Sequence, residues 1–302
     1  MTHTGPTTRP GGDAAIRRVL RREVPATLGI LADPRDFRAM RRYRSFTHHD
    51  HDAYLRHSDR LLRALASQHL HTTVALFDPD EYADYCSDTG LDADSPASRS
   101  RFTAELARRG PVVPCTGEPL ADLLPHLVET TVRRATRHYA TVLLTGLGTC
   151  ADCGEDIGSA SFDRASRILM RLLEVAGPGT HHLVCSVPAP DEHLLAVLHA
   201  EGETTAAATV DADESAEFVT VLAAGIALRT RGGVVLRTSR PGAPDYLHGW
   251  RLDRGRLLPL TAGEVFSAYC TDATTGDPLP PEPGVEYCAG FPVTTTDSDD
   301  HH

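Results

Sequence analysis

A chain of 302 residues is enough for one large domain or two small ones, with a core that needs no external staples. Its 41% apolar and 24% charged residues exclude a collagenous or wholly disordered protein, and a net charge of -11 argues against nucleic-acid binding over the whole surface. All 30 basic residues are arginine and asparagine is absent, which excludes a Walker A loop, a Schiff-base or kinase lysine and a Cys-His-Asn protease.

Residues 1–13 are polar and Pro/Gly-rich without a secretory hydrophobic segment, and they read as disordered. Arg17, Arg18, Arg21 and Arg22 fall on a short predicted helix, followed by Arg38, Arg41, Arg42 and Arg44. Residues 1–44 hold ten arginines against four acids, a net of about +6. Such an arm suits an acidic partner or a nucleic acid, or else pairs with the protein's own acidic body. Ala26 to Ala32 reads as a strand closed by Asp33-Pro34, and Asp50 to Gln68 as a helix. Thr72 to Phe77 is a second strand, closed in the same way by Asp78-Pro79. Ser100 to Arg109 is helical, and Val112-Val113 begins a short strand.

The longest predicted helix, Leu120 to Leu143, carries one wide apolar stripe from Leu120 to Val142, which suits a core or a subunit interface. Beyond it come helix Phe162 to Val175, strand His182 to Val187, helix Asp191 to His199 and strand Thr205 to Val210. Helix Glu214 to Arg229, strand Val234 to Thr238, a hairpin of Tyr246 to Leu252 with Arg256 to Leu260, and helix Gly263 to Tyr269 follow. The alternation predicts an α/β fold with a mostly parallel sheet, possible as two α/β lobes over 14–145 and 146–273 joined by the long helix. Residues 274–302 read as a disordered Pro-rich and acidic tail. L-A-D-P-R-D-F at 31–37, L-F-D-P-D-E-Y at 76–82 and V-D-A-D-E-S at 210–215 echo one another. Helix capping by the Asp accounts for the echo without an internal duplication.

Seven cysteines, an odd number, without a signal segment fit reduced thiols or a metal site in the cytoplasm better than a disulfide framework. The most specific motif is G-T-C-A-D-C-G-E-D-I-G-S-A, Gly148 to Ala160. Two thiolates spaced C-x-x-C and followed by Gly form half of a tetrahedral zinc site. These thirteen residues resemble the first half of the zinc finger of the DksA/TraR family. The second C-x-x-C of that family has no counterpart downstream, so binding to RNA polymerase is not carried over. Within this chain, Cys185 with His181 or His182 is the nearest set able to complete a zinc shell around Cys150 and Cys153.

Two weaker constellations lie in the first half. T-H-H-D-H-D at 47–52 is similar to the H-x-H-x-D-H motif of metallo-β-lactamase-fold hydrolases, yet Ala53 and Tyr54 stand where Asp-His is expected. Asp78-Pro79-Asp80 after a strand resembles the D-x-D of haloacid-dehalogenase-type phosphotransferases, without their lysine. With parallel strands, the strand ends would gather His48, His49, Asp78, Asp80, Cys115 and Glu118 in a crevice suited to a ligand. The sequence therefore points first to a binding or regulatory protein with a structural zinc and a protein partner. The alternative is a metal-dependent hydrolase or phosphotransferase using His48, His49 and His51 with Asp78 and Asp80.

Overall fold

The computed structural model describes residues 26–204, 207–272 and 274–293, so the predicted arm residues Arg17, Arg18, Arg21 and Arg22 lie outside the described residues. The chain divides into two compact units, up to Val132 and from Arg133 onward.

The first unit is built on three strands in the order β1 (Ala26–Ile30), β2 (Thr72–Leu76) and β3 (Val113–Cys115). β1 and β2 are parallel, whereas β3 runs antiparallel to β2 with Cys115 opposite Thr72. That register corrects the expected strand-end crevice. Cys115 sits beside the start of β2 and Glu118 follows it, whereas Asp78 follows the end of β2. Helices α1 (Pro34–Met40), α2 (His51–Ser67), α3 (Pro79–Thr89) and α4 (Pro96–Arg109) cover the sheet. One core joins Ile30, Leu62, Val74, Val113 and Leu127; the other is aromatic, with Phe37, Tyr54, Phe77, Tyr82 and Phe102.

Asp33 and Asp78 are the N-caps of α1 and α3, each accepting backbone N–H groups of the first turn ahead of a Pro at the helix start. Asp211 caps α7 (Ala212–Leu228) in the second unit in the same way, there without a Pro. The three echoing segments are thus three uses of one cap.

Helix α5 (Leu120–Thr145) spans the division between the units. Its predicted stripe is only partly inward: Leu120 and Leu127 are buried and Leu124 and Tyr139 half-buried, whereas Val128, Val132 and Val142 are exposed, and Ala140 and Leu144, off the predicted stripe, are buried. The second unit continues with α6 (Ile157–Ala176) and strands β4 (Gly179–Pro188), β5 (His193–Thr204) and β6 (Ala207–Val210). After α7 come β7 (Gly232–Ser239), β8 (Asp245–Asp253), β9 (Arg256–Pro259), α8 (Ala262–Tyr269) and β10 (Val285–Cys288). The seven strands form one sheet in the order β10-β8-β7-β4-β5-β6, with β9 also on β8. Every pair in it is antiparallel except β10 with β8. The expected mostly parallel sheet is therefore corrected to a mixed one, because connections as short as 189–192 and 240–244 permit hairpins and not crossovers.

Two further expectations change in this unit. Asp191 to His199, predicted helical, begins β5, where Leu194, Ala196, Leu198 and Ala200 are buried in alternation. Its Leu and Ala residues fit helical spacing equally well, and ten paired positions with β4 decide the outcome. The predicted tail from 274 also contributes structure, since β10 extends the sheet and Val293 is buried in the core. Among the described residues no helix is long and apolar enough to cross a membrane.

Candidate functional site

In the first unit a cavity of about 850 Å³ opens along the edge of β1 that has no strand partner among the described residues, between α2 and α4. That volume lies within the range of about 300–1,000 Å³ usual for small-molecule sites. Among the described residues β1 pairs with β2 alone, and the Ala26 amide donates to the His71 carbonyl on that side. In parallel pairing alternate residues turn their backbone groups to one side, so Thr27 and Gly29 present theirs to the cavity. Tyr54 from α2 closes this edge: its hydroxyl accepts from the Leu31 amide at 3.2 Å and donates to the Gly29 carbonyl at 3.4 Å. The fit at Gly29 is tight, since a Cβ would stand 3.0 Å from the Phe77 ring and 3.2 Å from Thr103 Oγ1.

The polar wall is basic. Its ionisable groups, apart from the Tyr54 phenol, are His48, His57, Arg99 and Arg108, with no carboxylate among the lining residues. Arg99 reaches from the first turn of α4 and donates to both Ser45 Oγ (2.7 Å) and the Ser45 carbonyl (3.1 Å). Ser45 is in turn fixed through its amide by Asp94, at 2.7 Å. Arg99 is therefore held in place by neutral oxygens, and among the described residues no direct ion pair compensates its charge. Arg108 differs, because Glu105 pairs with it through both carboxylate oxygens. His48 packs against Tyr54 and lies 6.0 Å, ring to ring, from His57. Partial burial, with His57 and His49 beside it, pushes its pKa below the usual histidine value. Apolar side chains such as Leu28, Met40, Phe46 and Leu61 complete the lining.

The histidines expected to act together are engaged differently. His48 lines the cavity, His49 is exposed, and His51 binds the Leu31 carbonyl through Nε2 at 2.9 Å. Asp78 is occupied as a helix cap and Asp80 is an exposed residue 4.0 Å from Arg42. Asp33, Asp36, Asp78 and Asp80 do gather at the strand ends; burial and these like charges push the Asp36 carboxyl up. None of the four lines the cavity. Of the second arginine group, Arg38 bonds the Pro34 carbonyl and Arg42 the Pro79 carbonyl of the same chain.

The expected zinc ligands are also dispersed. Cys150 and Cys153 lie in the loop between α5 and α6, with their thiols in mutual hydrogen-bond contact. His181 is wholly buried at the opposite end of α6, where its Nε2 donates to the Gly177 carbonyl at 2.8 Å and its Nδ1 accepts from Thr238 at 3.1 Å. The 20 residues of α6 separate these two places by about 30 Å. Both His181 nitrogens are committed, so it is corrected from ligand to core residue. Cys185 faces the same core, where burial pushes its thiol up to about 12. His182 points to the other face and packs on His199 at 4.8 Å. Among the described residues no group of three or more His, Cys, Asp or Glu is arranged to hold a metal ion.

His181 has a consequence for stability. Burial holds its pKa below 6.5, so protonation is easier in the unfolded chain. Its contribution is complete above pH 6.5 and is lost as pH falls from there through the lowered folded value, with a slope of at most about 1.4 kcal/mol per pH unit. Urea unfolding at pH 7.5, 6.5 and 5.5 is expected to show this loss, and His181→Gln to show a smaller one. Equal pH dependence in both proteins would refute the assignment.

A family model described as a domain of unknown function (DUF8829) matches residues 15–118, about a third of the chain. Every cavity-lining residue, from Thr27 to Arg108, falls within that match. No curated protein and no solved structure matches the chain. His57, Arg99 and Tyr54 escaped the sequence reading, because their shared cavity joins segments far apart in the chain. The only local hint was the end of a parallel strand, where His48 had been placed.

Proposed function

We propose that the protein works by binding, and that its first unit holds a small anionic molecule with an apolar body in the cavity beside β1. The observation that carries this reading is Arg99: a charged guanidinium aimed by Ser45, in a wall with two histidines and no carboxylate. A carboxylate, sulfonate or phosphate would satisfy its remaining donors with charge-assisted bonds. Leu28, Met40, Phe46 and Leu61 would cover the apolar part, and the outward backbone of Thr27 and Gly29 would fix orientation. Recognition needs no metal-holding group in this cavity.

The aromatic sulfonate 1-anilinonaphthalene-8-sulfonate has the required chemistry and brightens in apolar surroundings. Titrated against the folded full-length chain, it is expected to bind at least about 10-fold more weakly to Arg99→Leu, matching one lost charged contact of roughly 1.5–3 kcal/mol. Arg101→Leu, an exposed position on the same helix outside the lining, serves as the control and is expected to bind like wild type. Equal affinity in all three proteins, with unchanged unfolding midpoints, would overturn the proposal.

A further inference from the structure

The loop between α5 and α6 is built as a compact knuckle. The Cys150 amide donates to the Glu155 carbonyl at 2.8 Å, and the Gly154 amide to the Cys150 carbonyl at 2.9 Å. Below them Thr149 bridges Asp156, and the Ile157 amide closes the base on the Gly148 carbonyl at 3.0 Å. Gly148 and Gly154 take φ of +70° and +76°, which lets the chain fold back so that both thiols meet. Cys153 is exposed and Cys150 half-buried, so the pair stands at the surface.

Two adjacent thiols supply half of the four ligands that a tetrahedral zinc ion takes. No third donor of the same chain is arranged with them among the described residues: His181 lies beyond the far end of α6, about 30 Å along the helix, Cys185 is buried in the core and His182 packs on His199. The flanking helices expose apolar side chains within two turns of the knuckle, Val142 at 51% and Phe162 at 40%. Asp152 and Glu155 lie in the same loop, so two knuckles repel unless bonds to a shared metal hold them together.

We propose that Gly148–Asp156 is a zinc half-site completed by Cys150 and Cys153 of a second copy of this chain. One Zn²⁺ binds four sulfurs, four thiol protons leave to solvent, and the cluster carries a net charge of -2. Val142 and Phe162 lose exposure when the two copies meet. Association is metal-dependent, because only the four Zn–S bonds offset the repulsion between the acidic loops. This inference is independent of the cavity in the first unit.

The test uses the full-length chain, without an added tag, reduced and freed of metal by chelator dialysis. Limiting zinc chloride is then titrated in while molar mass is followed by light scattering and bound zinc by elemental analysis. The expected result is a twofold rise in mass at one zinc per two chains, reversed by chelator. Cobalt in place of zinc should give the intense charge-transfer bands of tetrahedral thiolate coordination. Cys150→Ser/Cys153→Ser should stay monomeric and lose that zinc, with an unfolding midpoint like that of the metal-free wild type. One zinc per chain in a monomer would overturn the shared site. So would a dimer indifferent to chelator, zinc binding retained by the double variant, or failure of the reduced protein to bind zinc.

Discussion

Replacing Trp250 by alanine is expected to cost about 3–5 kcal/mol and to release the C-terminal segment from the sheet. The indole on β8 is 1% exposed. Its Nε1 donates to the Phe291 carbonyl at 2.8 Å, and the two rings meet edge to face at 4.9 Å. His248, two residues earlier on β8, donates from Nδ1 to the Ala289 carbonyl at 2.8 Å. The segment after β10 is therefore anchored at two successive points, with Val293 buried beyond them. Truncation removes a large buried side chain and also leaves the Phe291 carbonyl without its donor. Trp250→Phe keeps most of the volume and should lose only about 1–2 kcal/mol. Trp250 is the protein's only tryptophan, so its fluorescence reports this junction in the wild type. Denaturation of the variants should be followed by circular dichroism. Under native conditions chymotrypsin should cut near Tyr287 or Phe291 in Trp250→Ala before it does so in the wild type. Unchanged protection and a loss under 1 kcal/mol would remove the anchor from the account.

The features legible in the chain are those whose cause is local. Asp33, Asp78 and Asp211 were readable as caps because capping needs only the next three residues. The long α5 was readable within a few residues, from its periodicity alone. Its partners were not, since Val132 and Val142 continue the apolar stripe while standing in solvent. Strand direction was illegible for a related reason. Thr72 to Phe77 and Val112-Val113 look alike whether paired parallel or antiparallel, and the register of Cys115 on Thr72 follows from how the chain returns. That one reversal dispersed the expected strand-end cluster.

The candidate site was less legible still. His51 fits the pattern of a ligand but is held by a carbonyl of β1, and His181 by two partners from other elements. Arg99, ordinary in sequence, becomes distinctive only because Ser45 and the edge of β1 converge on it. The C-x-x-C motif is the opposite case. Its knuckle geometry is local, with Gly148 and Gly154 turning the chain back, whereas its expected ligands depended on a sheet that places them elsewhere.

Gly225→Val is expected to destabilise the second unit by about 3 kcal/mol, against the helix propensity of the two residues. Glycine inside a helix is worse than alanine by about 1 kcal/mol, so a substitution at an open site would stabilise α7. Gly225 is not open. A Cβ there would stand 2.5 Å from Leu252 Cδ2, and 2.8 Å and 3.1 Å from the two methyls of Val187. Leu252 can turn its terminus away, but Val187 is β-branched and held within β4 opposite Leu194 of β5. The neighbours along α7 leave no room to tilt, because every residue from Glu217 to Ile226 is buried. Overpacking a core of this density typically costs 1–3 kcal/mol, and valine adds two further methyls to the clash. Gly225→Ala should fall between, with a net loss of about 1 kcal/mol once the propensity gain offsets part of the strain. Urea denaturation of the three proteins at one pH measures the series. A Gly225→Ala variant more stable than wild type would mean that α7 has slack against β4, and that the glycine is there for some reason other than close packing.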